Sequence, residues 1–330
     1  MNPKVAFRNT LKLTNADRSV FVPFVYGLAA KISQLPLQEM VSDATYYTHS
    51  LEEAYKLLQY DGIVNSYDCT LEAETFGCEL EWSGDYVAPR TTGCSQFELR
   101  EVNPEESSRI PILLETTKRV VMSQGKETAV IAVLTGPCSL VKTITGDEAG
   151  EKSHDIENVI SLAGKLLAKI TRSLCELKID AVFFREDPLG TEYPAELLSR
   201  NKPYAAVYAT LFNLIKYYNC YPVLIVKDIE FDFLTDLQSL LGPSGVSLLG
   251  KKVSDDDLVY LKKLSDSLKV SFGLPLPMGN QSELLEQFTT ISNFMSKNNS
   301  PGFFYVSDGE VPYDMPLEII HDLIARMRNV

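Results

Sequence analysis

The chain has 330 residues, is 45% hydrophobic and 23% charged, and sets 44 Asp and Glu against 31 Lys and Arg for a formal net charge of −13. That is the composition of a soluble globular protein with enough chain to bury a core without disulfides or metals. Its acidity argues against nucleic acid or an anionic membrane as partner, because both call for a basic surface.

No apolar run reaches the ~18 residues that span a bilayer, and the start MNPKVAFRNT lacks the apolar stretch of a signal peptide. The six cysteines, Cys69, Cys78, Cys94, Cys138, Cys175 and Cys220, show no CxxC or CxH spacing. The expectation is a reduced, cytoplasmic protein with neither a zinc ribbon nor a redox pair.

In chain order, VFVPFVYG (20–27) reads as a first strand and SLEEAYKLLQ (50–59) as a helix with Ser50 as N-cap. GIVNSYD (62–68) is the second strand, and the segment 69–108, rich in Gly, Thr, Ser and charge, reads as an insertion after it. RIPILLETTKRVVMSQG (109–125) is a helix that stops at a glycine, AVIAVLTGP (129–137) a strand, and DIENVISLAGKLLAKITRSLCELK (155–178) a long amphipathic helix. AVFFRED (181–187), PVLIVKD (222–228), VSLLGK (246–251), KVSFGLP (269–275) and GFFYVSD (302–308) are strands. Between and after them fall helices at 203–218, 254–268, 281–297 and 316–328, the second opened by Ser254 and three acids and the last by Pro316.

Near-continuous apolar strands are buried on both faces, as in a parallel sheet. Eight of them alternating with helices predict an α/β fold, a single (β/α)8 barrel over 1–330. No GxGxxG follows the first strand, so a dinucleotide-binding open sheet is the weaker alternative.

In such a barrel, chemistry sits where strands end. Those ends carry Tyr26, Asp68, Cys138, Arg185 with Glu186 and Asp187, Lys227 with Asp228, Lys251, and Asp308 with Glu310. None of the three histidines, His49, His154 and His321, follows a strand, so none is expected to act as catalyst or ligand. Trp82 falls in the insertion. Glu72 and Glu74 suit acid–base work, metal ligation or, equally, an exposed helical turn.

The stretch TLEAETFGCELEW (70–82), with DGIVNSYD before it, LTGPCSL (134–140) after the third strand, KVSFGLPLPMGN (269–280) and the tail SDGEVPYDMPLEIIHDLI (307–324), resembles the uroporphyrinogen decarboxylase superfamily. That group includes the decarboxylases of haem synthesis and the cobalamin-dependent methyltransferases that act with corrinoid proteins. The resemblance implies the same barrel. The decarboxylase branch carries an arginine-rich stretch after its first strand, where this chain has VYGLAAKISQLP (25–36) with only Lys31. Its catalytic aspartate is matched by Asp68, nine residues before Gly77.

The wording EAETFGC is closer to the methyltransferase branch, whose zinc is held by a His-x-Cys after the fifth strand and a Cys before the E-V-P turn. Those positions read Val226, Asp228 and Gly309, so a thiolate zinc site is not expected. Asp228, Glu186 and Asp308 would suit a harder cation such as magnesium.

The leading expectation is a methyltransferase-like barrel that acts with a corrinoid protein and without thiolate zinc. Asp68, Glu186 and Asp228 are the catalytic candidates; Tyr26, Arg185, Asp187, Lys227 and Asp308 are the substrate-binding ones. The alternatives are a decarboxylase or lyase on a small acid or tetrapyrrole that uses Asp68, and a non-catalytic accessory subunit.

Overall fold

A computed structural model describes residues 2–94, 101–104, 108–146, 156–187, 202–298 and 300–328. Its strands are β1 (Phe21–Phe24), β2 (Gly62–Val64), β3 (Glu79–Glu81), β4 (Arg90–Gly93), β5 (Ala129–Thr135), β6 (Ala181–Glu186), β7 (Tyr221–Lys227), β8 (Gly245–Leu249), β9 (Ser271–Leu276) and β10 (Phe303–Glu310). Eight form one sheet in the order β1-β10-β9-β8-β7-β6-β5-β2, every pair parallel, while β3 and β4 make a separate antiparallel hairpin. Each of the eight is followed by an outer helix: Ala44–Leu58, Ile110–Gln124, Ile156–Glu176, Lys202–Tyr217, Phe233–Leu241, Asp255–Leu268, Gln281–Asn298 and Leu317–Arg328. This is the expected (β/α)8 barrel.

The barrel closes between β1 and β2 at Asp61, through its backbone N–H and its side chain. The Asp61 N–H donates to the Phe21 carbonyl at 2.9 Å, and the Phe21 N–H donates to the Asp61 carboxylate at 2.8 Å. A carboxylate thus replaces the backbone acceptor that a continuing ladder would offer. Arg18 pairs with the same carboxylate, and Thr128 Oγ1 binds the Asp61 carbonyl at 3.0 Å. Across the bottom of the barrel, buried Asp180 holds Lys4 (3.1 Å), Arg8 (2.9 Å) and the Val130 N–H (3.0 Å), which fastens the helix Pro3–Leu11 under β5 and β6.

Helix starts follow local chemistry. Ser254 and Asp257 form the full capping box. The helix expected to begin at Ser50 begins at Ala44 instead. Asp43 caps it, accepting from Thr45 N (2.7 Å) and Tyr46 N (3.1 Å), and Ser50 is buried mid-helix. An aspartate seven residues upstream won because its carboxylate reaches two orphan N–H groups at once. The helices Pro3–Leu11, Pro137–Thr145 and Phe233–Leu241 were not anticipated. The expected helix start at Asp155, His154 and part of the insertion lie outside the described residues.

Removing the Asp61 carboxylate leaves Arg18 and the Phe21 N–H without their acceptor. Asp61→Ala is expected to cost about 2–4 kcal/mol in denaturant unfolding, and Asp61→Asn, which keeps an acceptor for Phe21, distinctly less. Equal costs for the two would remove the Phe21 bond from the account.

Candidate active site at the barrel mouth

β2 is short, and the chain leaves it along β5, with Asn65 N–H donating to Ile131 O at 3.0 Å. The Asn65 side chain donates to Thr117, and the Tyr47 hydroxyl donates to the Asn65 carbonyl. This anchoring sets Tyr67 and Asp68 at the mouth. Asp68 is almost wholly engaged there. One oxygen accepts from Thr70 N (2.8 Å) and Thr70 Oγ1 (2.6 Å), the other from Arg109 Nη1 (2.6 Å) and the Tyr26 hydroxyl (3.4 Å). Arg109 also donates from Nε to Glu74 (2.9 Å), and its guanidinium lies 5.6 Å from the Trp82 ring centre. Asp68 and Arg109 therefore form a buried network that ties the insertion to the barrel.

Glu186 is similarly engaged. It accepts from the Cys138 N–H (3.0 Å), the Ser139 N–H (2.8 Å), Ser139 Oγ (2.6 Å) and the Tyr208 hydroxyl. It sits on the N-terminus of the helix Pro137–Thr145, where unpaired N–H groups favour an acceptor. Burial pushes its carboxyl up, and the four donors oppose that. Gly136 is required here, because a β-carbon would collide with the Glu186 carboxylate.

Arg185 behaves differently. Its guanidinium lies 4.6 Å from the Tyr67 ring centre, and the other side of that ring stacks on Phe24 at 4.6 Å. Its ion-pair partner is Asp187, at 3.1 Å. The Cys69 sulfur lies 3.9 Å from Asp187, and burial pushes that thiol up to about 12. The Tyr67 hydroxyl is buried without a hydrogen-bond partner. Beside it is Glu310, half-buried, with one oxygen accepting from the Gly27 N–H at 2.6 Å. Burial raises the Glu310 carboxyl to about 7, against the pull of that N–H and of Arg185. Arg185, Tyr67, Asp187 and Glu310 make a polar cluster at the mouth, with a cation over an aromatic ring and a carboxyl raised by burial to about 7.

Lys227 and Asp228 are both exposed. Asp228 is left-handed (φ 53°), and its carboxylate packs against Gly250, whose own N–H donates to Asp308 at 2.5 Å. Those two carboxylates brace the β8 turn and do not join Glu186. Among the described residues, no three His, Cys, Asp or Glu side chains converge as a metal site. The positions matching the family's zinc ligands do not fit that ion. Val226 is buried and apolar, and Gly309 has no side chain; a β-carbon there would lie 3.9 Å from the Tyr67 hydroxyl.

Sequence reasoning missed Arg109 and Tyr67. Arg109 opens a helix 41 residues from Asp68, and nothing local marks it. Glu72, weighed as an exposed turn, is fully buried and accepts from Thr135 N (3.1 Å) and Thr135 Oγ1 (2.6 Å). Burial pushes its carboxyl up to about 7.

The profile of the family described as uroporphyrinogen decarboxylase (URO-D) matches residues 7–182, over half of the chain. The chain belongs to the uroporphyrinogen decarboxylase family. It is 24% identical over 155 residues to the methylcobamide:CoM methyltransferase MtbA of Methanosarcina acetivorans, a match covering 44% of this chain and 45% of that protein. The chain thus matches less than half the length of this curated relative. A solved methyltransferase from Methanosarcina mazei superposes with a TM-score of 0.80 at 15% identity, covering 100% of this chain and 98% of that one. At that identity, the likeness is one of fold.

Two measurements check the buried groups. Glu72 has its folded pKa raised from an ordinary 4.5 to about 7, so the folded chain binds this proton more tightly than the unfolded chain. Its contribution to stability is complete below about pH 4.5 and is lost as pH rises through about 7. Thermal melts between about pH 5 and 8 should show stability falling for the wild type and a flatter profile for Glu72→Gln; parallel profiles would exonerate Glu72. Asp68→Ala removes the buried partner of Arg109 and leaves it only the more exposed Glu74; it should lower unfolding free energy by about 3 kcal/mol, whereas an uncoupled surface pair would give less than about 1 kcal/mol.

Proposed function

We propose that this chain is a methyltransferase-like protein that binds a small substrate at the barrel mouth and works with a corrinoid protein, without a thiolate zinc site. The observation that carries this reading is the cluster of Arg185, Tyr67 and Glu310, the part of the mouth less fully engaged than Asp68 and Glu186: Arg185 has Asp187 as its partner and Glu310 accepts one backbone N–H. Similarity to a methylcobamide:CoM methyltransferase supports the methyl-transfer class.

The chemistry follows from the residues. A substrate with an anionic group docks on the Arg185 guanidinium, which its stacking on Tyr67 holds in place before binding. The Tyr67 hydroxyl, which lacks an internal partner, donates to the same substrate. Glu310 then takes the proton of a thiol or similar acceptor group, because its carboxyl and such an acceptor can exchange a proton near neutral pH. The partner's corrinoid supplies the methyl group. A nucleophile freed by a general base replaces the metal thiolate that Val226 and Gly309 cannot form.

The decarboxylase reading loses support because Asp68, its polarising group, is saturated by Arg109, Tyr26 and Thr70. The accessory-subunit reading draws on the missing zinc ligands and predicts an inert mouth.

The test is demethylation of methylcobalamin by the purified protein with a panel of small anionic thiols, followed by the cobalamin absorbance. Arg185→Ala and Glu310→Gln should each reduce the rate by about 100-fold, with Arg185→Ala acting mainly through KM and Glu310→Gln through kcat. Wild-type activity should rise with pH through about 7 as Glu310 becomes a base. No turnover with any acceptor, together with no corrinoid protein co-purifying from the native host, would move the assignment to an accessory role.

A further inference from the structure

The Thr135 hydroxyl stands between two acceptors. Its Oγ1 lies 2.6 Å from Glu72 Oε2 and 3.2 Å from the Cys69 carbonyl oxygen. A hydroxyl has one proton to donate, so it serves one of these acceptors at a time. The other Glu72 oxygen, Oε1, accepts the Thr135 N–H at 3.1 Å, and a backbone donor cannot reverse its role. Glu72 is fully buried in the short helix Leu71–Thr75, and Thr135 ends β5.

The Cys69 carbonyl shares its peptide unit with the Thr70 N–H, which donates to Asp68 at 2.8 Å inside the network that Arg109 completes. Few charged or titratable groups surround Glu72. Burial is the main force that raises its carboxyl, the Thr135 bonds oppose it and Asp68 adds to it, for a value of about 7. The neighbouring Cys69 thiol is pushed up to about 12, also by burial. Glu74, on the same helix, is paired with Arg109. β5 contributes no ionisable side chain. The helix Pro137–Thr145 packs against this turn with two titratable groups: Cys138, whose thiol and N–H face Glu186, and Lys142, which lines the same cavity beside the mouth as Cys69 and Thr135.

We infer that Glu72 and Thr135 form a proton-operated switch that sets the hydrogen bonding of the Cys69–Thr70 peptide at the barrel mouth. With Glu72 ionised, Thr135 Oγ1 donates to the carboxylate, the stronger acceptor, and the Cys69 carbonyl goes without that donor. A proton taken up from solvent settles on Oε2, because on Oε1 it would meet the Thr135 N–H. Oε2 then donates to Thr135 Oγ1, and the Thr135 proton turns to the Cys69 carbonyl. One O–H···O bond reverses and one is gained. A carbonyl that accepts a hydrogen bond polarises its peptide, which strengthens the Thr70 N–H as a donor to Asp68. Protonation of a buried carboxyl thus reaches the Asp68–Arg109 network through hydrogen bonds alone. This inference stands apart from the methyl-transfer reading, since it concerns one peptide unit and its test uses no substrate or partner.

Cys69–Thr70 is the only Cys–Thr peptide bond in the chain. Protein with isotope labels on the cysteine carbonyl carbon and the threonine nitrogen therefore gives one peak in a carbonyl-correlated amide NMR spectrum, and that peak reports this peptide alone. Titrated between about pH 5 and about pH 8.5, the wild-type carbonyl and N–H resonances should both move downfield as pH falls, in one step with its midpoint at about 7. Glu72→Gln, whose amide donates to Thr135 at every pH, should hold the peak at its low-pH position without a step. Thr135→Val should hold it at the high-pH position, and Thr135→Ser, which restores the hydroxyl, should restore the step. If Thr135→Val does not fold, wild type against Glu72→Gln still decides. A wild-type peak that stays in place overturns the switch, as does a step that survives in Glu72→Gln or Thr135→Val.

Discussion

The architecture hangs on the Asp61 carboxylate. Seven of the eight junctions between neighbouring barrel strands are backbone ladders, and those need no particular side chain. At the eighth, the ladder gives out, and the Asp61 carboxylate takes the Phe21 N–H in its place. Without closure, β1 and β2 would be two edges facing water, and open edges invite pairing with other chains. With it, the ends of β1, β2 and β10 converge, so Tyr26 and Asp68 share one mouth with Glu310, which lies more than two hundred residues further along the chain.

Within that mouth, the carboxylates divide by what surrounds them. Asp68 and Glu186 each accept four hydrogen bonds, and their charge is used to hold the insertion and a helix N-terminus. A buried acceptor so fully satisfied has little capacity left for a substrate. Glu310 takes one backbone N–H and keeps capacity to spare. The same division separates the arginines. Arg109 spans Asp68 and Glu74, whereas Arg185 lies on an aromatic face beside a partly exposed aspartate. Spare hydrogen-bonding capacity, rather than charge alone, separates the cluster proposed to meet a substrate from the two internal networks.

The insertion after β2 is bound to the barrel by chemistry of unequal strength. The Asp68–Arg109–Glu74 network and the aromatic contacts of Trp82 and Tyr86 hold its first half, while the second strand of the hairpin pairs with β3 and meets the helix Pro137–Thr145 at Thr143.

The barrel was legible in the sequence, because strands buried on both faces leave continuous apolar runs and their alternation with helices allows few topologies. The strand-end positions of Arg185, Asp187 and Glu310 were legible for the same reason: where a strand ends is a local property. What each charged group does was not. Arg109, 41 residues from Asp68, forms an ion pair with that catalytic candidate. Thr135 enclosed Glu72, and the helix Pro137–Thr145 drew in Glu186. Cys78 and Cys94 met as a disulfide only because a hairpin folded back on itself. Sequence alone determined the periodic features, since hydrophobic burial acts on local pattern. The tertiary structure decided the site, since a charge's protonation and availability depend on neighbours brought in from elsewhere in the chain.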